Sequence, residues 1–180
     1  GETIGKTMTQ TNSTGTKEKK YNAREVYKSP LSFTPEVGRG VSSIVFQVSN
    51  SHVAKVNRWS DIPLEKTLVW LTHQYNIARK AYASGISIPK PDGIFDVELR
   101  PTKNRDPNIV PGFVMEYING TCLSDMSKSQ LAKLERLWDS EKKKALQSGI
   151  IVDDCSERNA IWCQERERVY LIDFEYWSYL

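Results

Sequence analysis

The stretch Gly149 to Tyr176, GIIVDDCSERNAIWCQERERVYLIDFEY, decides how the rest of the chain is read. Asp154 and Asn159 stand five residues apart in a polar loop. Two short runs follow, Ala160-Ile161-Trp162-Cys163 and Val169-Tyr170-Leu171-Ile172, joined by the charged turn Gln164 to Arg168. Runs this short and this rich in branched and aromatic residues predict a β-hairpin. Asp173 closes the second strand. Three oxygen-bearing side chains are thereby delivered to one end of a hairpin. Few protein oxygens, with water and phosphate completing the shell, is how Mg2+ is held against a nucleotide. The competing reading is that Asp154 and Asn159 are loop caps, a common use of such residues.

Upstream, Gly38-Arg39-Gly40-Val41-Ser42-Ser43 precedes the β-branched run Ile44-Val45-Phe46-Gln47-Val48. The turn Ser49-Asn50-Ser51 leads into His52-Val53-Ala54-Lys55-Val56. This predicts a second hairpin with a glycine-rich leading edge, where small residues let backbone N–H groups approach phosphate oxygens. By strand alternation Lys55 points with Val53, toward the inner side of the sheet. A charge there needs a partner, and a phosphate would serve. The alternative is an edge lysine in water.

Leu64, Leu68, Leu71, Tyr75, Ala78 and Tyr82 recur at alternating spacings of four and three. They predict an amphipathic helix over residues 63–84, with Pro63 in its first turn and Gly85 at its C-terminal cap. Strands are expected at Gly93–Val97 and Gly112–Ile118, with a long exposed loop over 98–111 between them. Asn119-Gly120 marks a turn. Ser127 is a candidate N-cap for a helix carrying Leu131, Leu134, Leu137 and Trp138 to about Gln147. Residues 1–24 are nearly devoid of apolar side chains and predict a polar, disordered tail. Gly5-Lys6-Thr7 lacks the earlier glycine and the leading strand of a phosphate loop.

The chain has 180 residues and a net charge of +3, room for one core or for one domain of two lobes. Lys142-Lys143-Lys144 follows Glu141, and Arg166 and Arg168 alternate with Glu165 and Glu167, which reads as solvated surface rather than a nucleic-acid patch. Cys122, Cys155 and Cys163 have neither metal spacing nor an even count, so an intracellular, reducing compartment is expected, cytoplasmic or nuclear. No run is apolar and long enough to span a membrane.

In order, the chain offers a glycine-rich hairpin, a strand lysine, a helix, two strands, a turn, a helix, D-x-x-x-x-N, a hairpin and D-F. This resembles the protein-kinase-like superfamily over about residues 33–176. Gly38-x-Gly40-x-x-Ser43-x-Val45 resembles the glycine-rich loop, Val53-Ala54-Lys55 the strand lysine motif, and Asp173-Phe174 the start of D-F-G. Asp154 to Asn159 with Asp173-Phe174-Glu175 is similar to the choline kinase and aminoglycoside phosphotransferase group. Gly85-Ile86-Ser87-Ile88-Pro89 after the helix is similar to the small atypical RIO-like kinases. The resemblance implies an α+β, bilobal fold: an antiparallel-sheet N-lobe with one helix over 25–118, and a strongly shortened helical C-lobe over 119–180.

It also implies ATP and Mg2+ as cofactors. Lys55 would neutralise phosphates under the cover of Gly38, Gly40, Ser43 and Val45. Met115, Glu116, Tyr117 and Ile118 would form the hinge that reads adenine. Asp154 would accept the proton of an attacking hydroxyl, and Asn159 and Asp173 would hold the cation. The expected activity is phosphoryl transfer to a hydroxyl of a protein or small molecule, achieved mostly by positioning and charge stabilisation. The alternative is a pseudokinase that binds nucleotide or a protein partner without chemistry.

Five departures bear on that choice. Val152 stands where a histidine is usual and can pack but not hydrogen-bond. Asp153 places a second carboxylate beside Asp154, and adjacent side chains are expected to diverge. The helix position that usually carries a glutamate falls on Gln74, which can accept a hydrogen bond but cannot neutralise Lys55. Finally, Glu175 replaces the glycine of D-F-G, and the chain stops seven residues after Asp173.

Overall fold

A computed structural model describes residues 7–11, 17–22, 24–100 and 108–180. Thirteen strands and two helices are assigned among them: β1 (Thr7–Thr11), β2 (Lys17–Asn22), β3 (Val26–Tyr27), β4 (Glu36–Arg39), β5 (Ser43–Gln47), β6 (His52–Asn57), α1 (Leu64–Ala83), β7 (Pro91–Leu99), β8 (Asn108–Glu116), β9 (Thr121–Cys122), α2 (Lys128–Gln147), β10 (Ile150–Ile151), β11 (Ala160–Cys163), β12 (Arg168–Leu171) and β13 (Ser178–Tyr179). The disordered tail expected over 1–24 instead carries the antiparallel pair β1–β2, while the Gly5-Lys6 end of the phosphate-loop-like triplet lies outside the described residues.

The first lobe is a six-stranded sheet in the order β3-β7-β8-β6-β5-β4, antiparallel except for β3, which runs parallel to β7. Alternation divides its side chains between two faces. Val53, Phe113 and Met115 join the main core with α1 and the second lobe, and Val45 packs against that core. Ala54, Val97 and Val114 form a smaller core on the other face with Val48 and Leu99. Lys55 pairs with Val45 on one side and Phe113 on the other, which fixes its register in the centre of the sheet.

The loop expected over 98–111 is shorter than that, since Leu99 pairs with Asn108 and Glu98 with Ile109. Polar residues here occupy the open positions of a hairpin whose Val97 and Leu99 are buried. Gly38 likewise lies inside β4, opposite Val45, so the glycine-rich turn proper is Gly40-Val41-Ser42.

Both helices are where their periodicity places them, but their inner faces are rotated. On α1 the buried positions include Thr67, Leu71, Gln74, Ala78 and Ala81, whereas Leu64 and Tyr82 are exposed. On α2 the inward stripe is Leu131, Leu134, Trp138, Glu141 and Ala145, and Leu137 is exposed. In each helix a polar residue faces inward because it has a fixed partner. Buried Glu141 accepts from the Ser87 N–H (2.8 Å) and hydroxyl (2.9 Å), tying α2 to the segment that leaves α1. Ser127 caps α2 in a reciprocal capping box with Gln130.

The second lobe adds a three-stranded sheet, β12-β11-β9, and the pair β10–β13. Gly120 is required before β9, because a Cβ there would lie 2.2 Å from the Trp162 carbonyl oxygen. The segment after Asp173 turns inward. Phe174 is fully buried, 6.2 Å from the Phe113 ring and 4.8 Å from the Trp177 ring. Trp177 is 2% exposed and packs in the main core, whereas Tyr179 is exposed and meets Lys80 of α1.

Candidate active site

Lys55, Gln74 and Asp173 reach one point from β6, α1 and the segment that follows β12. The Lys55 Nζ donates to Gln74 Oε1 at 2.5 Å and to Asp173 Oδ1 at 2.7 Å. Lys55 is 3% exposed and Gln74 0%, while the Asp173 side chain keeps 30% exposure. The sequence arithmetic that placed Gln74 opposite Lys55 is matched by this contact. Gln74 supplies an acceptor but no charge, so Asp173 is the counter-ion of Lys55. The Trp70 ring adds a π face 5.5 Å from Nζ. Trp70 was not singled out in the sequence, although its place one turn before Gln74 on the same helix face was the available signal.

Asp173 holds φ at 70°, a left-handed conformation, and its Oδ1 also accepts from the Glu175 N–H at 3.3 Å. Buried Phe174 next to it anchors that backbone. Asp154 also has a left-handed φ of 55°. It is exposed, and its carboxylate has no hydrogen bond or ion pair among the described residues. Asn159 donates its Nδ2 to the Asp154 carbonyl oxygen at 2.7 Å, and its own carbonyl accepts from the Ile172 N–H at 2.9 Å. The loop is therefore closed on itself and stitched to Ile172, the residue before Asp173.

Val152 packs against the core and offers no hydrogen bond. The bracing comes from elsewhere. Trp138 Nε1 donates to the Cys155 sulfur at 3.4 Å, and Cys122 Sγ reaches the carbonyl oxygens of Glu157 (3.4 Å) and Arg158 (3.5 Å). Burial, the largest influence, pushes the Cys155 thiol above its ordinary pKa. The Tyr176 hydroxyl is also pushed up, by Glu175 first, then by burial and by Asp173 and Asp154.

Asn159 and Asp173 each keep a side-chain oxygen that could contribute to holding a cation. The Asn159 amide spends its N–H on Asp154, leaving Oδ1 free, and Asp173 uses Oδ1 for Lys55, leaving Oδ2. Two side-chain oxygens suffice when phosphate and water supply the rest. No group of three or more potential ligands occurs among the described residues.

At the expected hinge, the Glu116 N–H bonds Lys90 O (2.9 Å) and the Tyr117 N–H bonds Ser51 O (2.8 Å). Of the three N–H groups from Glu116 to Ile118, only that of Ile118, a buried residue, lacks a partner among the described residues. The Glu116 side chain pairs with Arg166 at 2.7 Å. Burial pushes its carboxyl up, but the Arg166 hydrogen bond and charge outweigh that and leave it below its ordinary value. No sequence signal joined these residues, which are fifty positions apart. Val45 and Val53 lie on the same face of the sheet as Lys55.

The fold is kinase-like. The chain is similar to the Rio2 kinase of Chaetomium thermophilum, solved as an ADP/Mg2+-phosphoaspartate complex: TM-score 0.56 and 14% identity over 82% of this chain and 49% of that one. It is similar also to WbdD, solved with a kinase inhibitor: TM-score 0.52 and 18% identity over 88% of this chain and 34% of that one. The chain thus spans about half the length of the first and a third of the second. No protein-family model and no curated protein matches the sequence.

Proposed function

We propose that this chain is an ATP- and Mg2+-dependent phosphotransferase of atypical type, acting on a hydroxyl of a protein or small molecule. The pairing of buried Lys55 with Asp173, which directly follows the Ile172 bonded to Asn159, together with an Asp154 carboxylate left unpaired among the described residues, carries this reading. The similarity to Rio2, solved with ADP and Mg2+, supports it among the atypical kinases.

Each residue has a role that its surroundings permit. Lys55 turns from Asp173 to the phosphates. Mg2+, held through Asn159 Oδ1 and Asp173, supplies charge neutralisation of the phosphate oxygens. Met115 and Val53 wall the base, and the hinge backbone over Met115 to Ile118 reads it. Asp154 orients the acceptor hydroxyl and takes its proton as the new P–O bond forms. The bond from the terminal phosphorus to the bridging oxygen breaks, and ADP leaves with that electron pair. The work is positioning and electrostatics, for which few residues suffice.

The test has two stages. ATP with Mg2+ at about 100 times its dissociation constant should stabilise the protein by about 2.7 kcal/mol, and ATP with chelator by less. Asp154→Asn should keep that shift and lose phosphoryl transfer. Absence of any shift removes the reading, and equal turnover by the variant removes Asp154 from its role.

A second reading has its own support. Lys55 is already neutralised by Asp173, Gln74 carries no charge, and Val152 offers no hydrogen bond. A nucleotide-binding pseudokinase that works through a protein partner would show the thermal shift and no turnover toward any acceptor, itself included.

A further inference from the structure

The glycine-rich turn is held from behind by two residues that no motif accounts for. Immediately after β6, the Arg58 N–H donates to Ser42 O at 3.0 Å. The Arg58 guanidinium donates to Gly40 O at 3.2 Å, and the Trp59 indole N–H donates to Val41 O at 3.1 Å. Arg58 stacks on the Trp59 ring at 5.0 Å, and both contacts are at the surface. Three consecutive carbonyl oxygens of the turn are thus taken by two adjacent residues.

Peptide geometry gives this a consequence. There are no cis peptide bonds among the described residues, and in a trans unit the C=O of one residue and the N–H of the next point in opposite directions. With the carbonyls of Gly40 and Val41 drawn toward Arg58 and Trp59, the N–H groups of Val41 and Ser42 face away. Neither has a partner among the described residues. Successive free backbone N–H groups in a turn make an anion-binding concavity. The Gly40 N–H, by contrast, is spent on Ser43 O at 2.8 Å, closing the turn.

We propose that Arg58 and Trp59 are positioning residues that clamp the Gly40–Ser42 turn so that its outward N–H groups take phosphate oxygens. The inference rests on the reading of the cleft as a nucleotide site. Its effect grows with the number of phosphates. Adenosine does not reach the turn, whereas the triphosphate does.

The double variant Arg58→Ala, Trp59→Phe keeps an aromatic ring and removes both side-chain donors. Binding of ATP, ADP and adenosine, each with Mg2+, is measured by calorimetry, and exchange of the Gly40 amide proton is followed in the ligand-free protein. ATP affinity should fall about tenfold, the worth of one or two neutral hydrogen bonds, with adenosine within about twofold. Amide exchange at Gly40 in the ligand-free protein should quicken about tenfold. Unchanged exchange overturns the clamp, even if nucleotide binds. Quickened exchange with equal loss for ATP and adenosine overturns the phosphate role. Failure of the wild type to bind any of the three overturns the nucleotide reading, and the phosphate role with it, while the exchange result still decides the clamp. Restoring Arg58 alone should recover part of the ATP affinity.

Discussion

Asp173→Asn isolates the charge at the centre of the cleft. Asparagine has nearly the shape of aspartate, its Oδ1 can still accept from Lys55, and it tolerates the left-handed φ of 70°. What disappears is the counter-charge of a lysine that is 3% exposed. Removing one partner of a fully buried ion pair costs about 3–5 kcal/mol, and an exposed pair is worth about 0–1 kcal/mol. The Asp173 side chain is 30% exposed, so water screens part of the interaction. The neutral acceptor Gln74 remains at 2.5 Å. An intermediate cost of about 2 kcal/mol follows. For a chain of this length that lowers Tm by about 4–8 °C. Urea unfolding of ligand-free protein measures it, and a cycle with Lys55→Met separates the pair from its surroundings. A coupling energy near zero, or an Asp173→Asn protein within about 0.5 kcal/mol of wild type, would refute the claim that Asp173 is the counter-ion of Lys55.

Phe174→Ala should cost about 3–5 kcal/mol by denaturant unfolding, since the ring is fully enclosed between Phe113 and Trp177. Glu116→Gln tests the pair with Arg166 through pH. A carboxyl held below its ordinary value contributes stability that is present above its unfolded pKa and lost as pH falls through the folded one. The variant should therefore be up to about 1 kcal/mol less stable than wild type at pH 7, with the gap closing in acid below the usual carboxylate range. A gap that persists there would mean that the packing of Glu116, and not its charge, is what matters. Cys155 should resist alkylation near neutral pH, and Trp138→Phe, which removes the hydrogen bond that lowers the thiol pKa, should slow it further when the rate is followed by thiol labelling.

Much of the scaffold could be read from the chain because it rests on local signals. Strand alternation placed Lys55 inward, Ser127 capped α2, and Gly85 at a φ of +80° ended α1. The helix faces were misjudged for a physical reason. Apolar periodicity assigns the inner stripe to hydrophobic residues, but α1 turns Thr67 and Gln74 inward and α2 turns Glu141 inward. Each is buried because a partner from another element satisfies it: Asn57 for Thr67, Lys55 for Gln74, Ser87 for Glu141. Long-range partners carry no periodic signature. The same limit hid the Glu116–Arg166 pair, the sulfur contacts that brace the Asp154 loop, and the Arg58–Trp59 contacts to the glycine-rich turn. The departures at 152 and 74 were visible. What stands in for them was not, since the substitutes lie on β9, α2 and the segment that follows β12.

The double duty of Asp173 sets the order in which charges can be exchanged. In the free protein it neutralises Lys55, and in the proposed complex it faces a cation. A nucleotide arriving without metal would draw Lys55 to its phosphates and leave the Asp173 carboxylate beside further negative charge. A nucleotide arriving with Mg2+ replaces one neutralising contact by two, and neither Lys55 nor Asp173 is left unpaired. ATP affinity should accordingly rise at least about tenfold, or about 1.4 kcal/mol, on adding Mg2+ to the wild type. In Asp173→Asn the repulsion in metal-free buffer is gone, so binding without Mg2+ should tighten while the gain on adding Mg2+ shrinks. Calorimetric titrations with and without chelator measure both changes. Equal Mg2+ dependence in the two proteins would show that the cation is held elsewhere, and would remove Asp173 from the metal site while leaving its pairing with Lys55 intact.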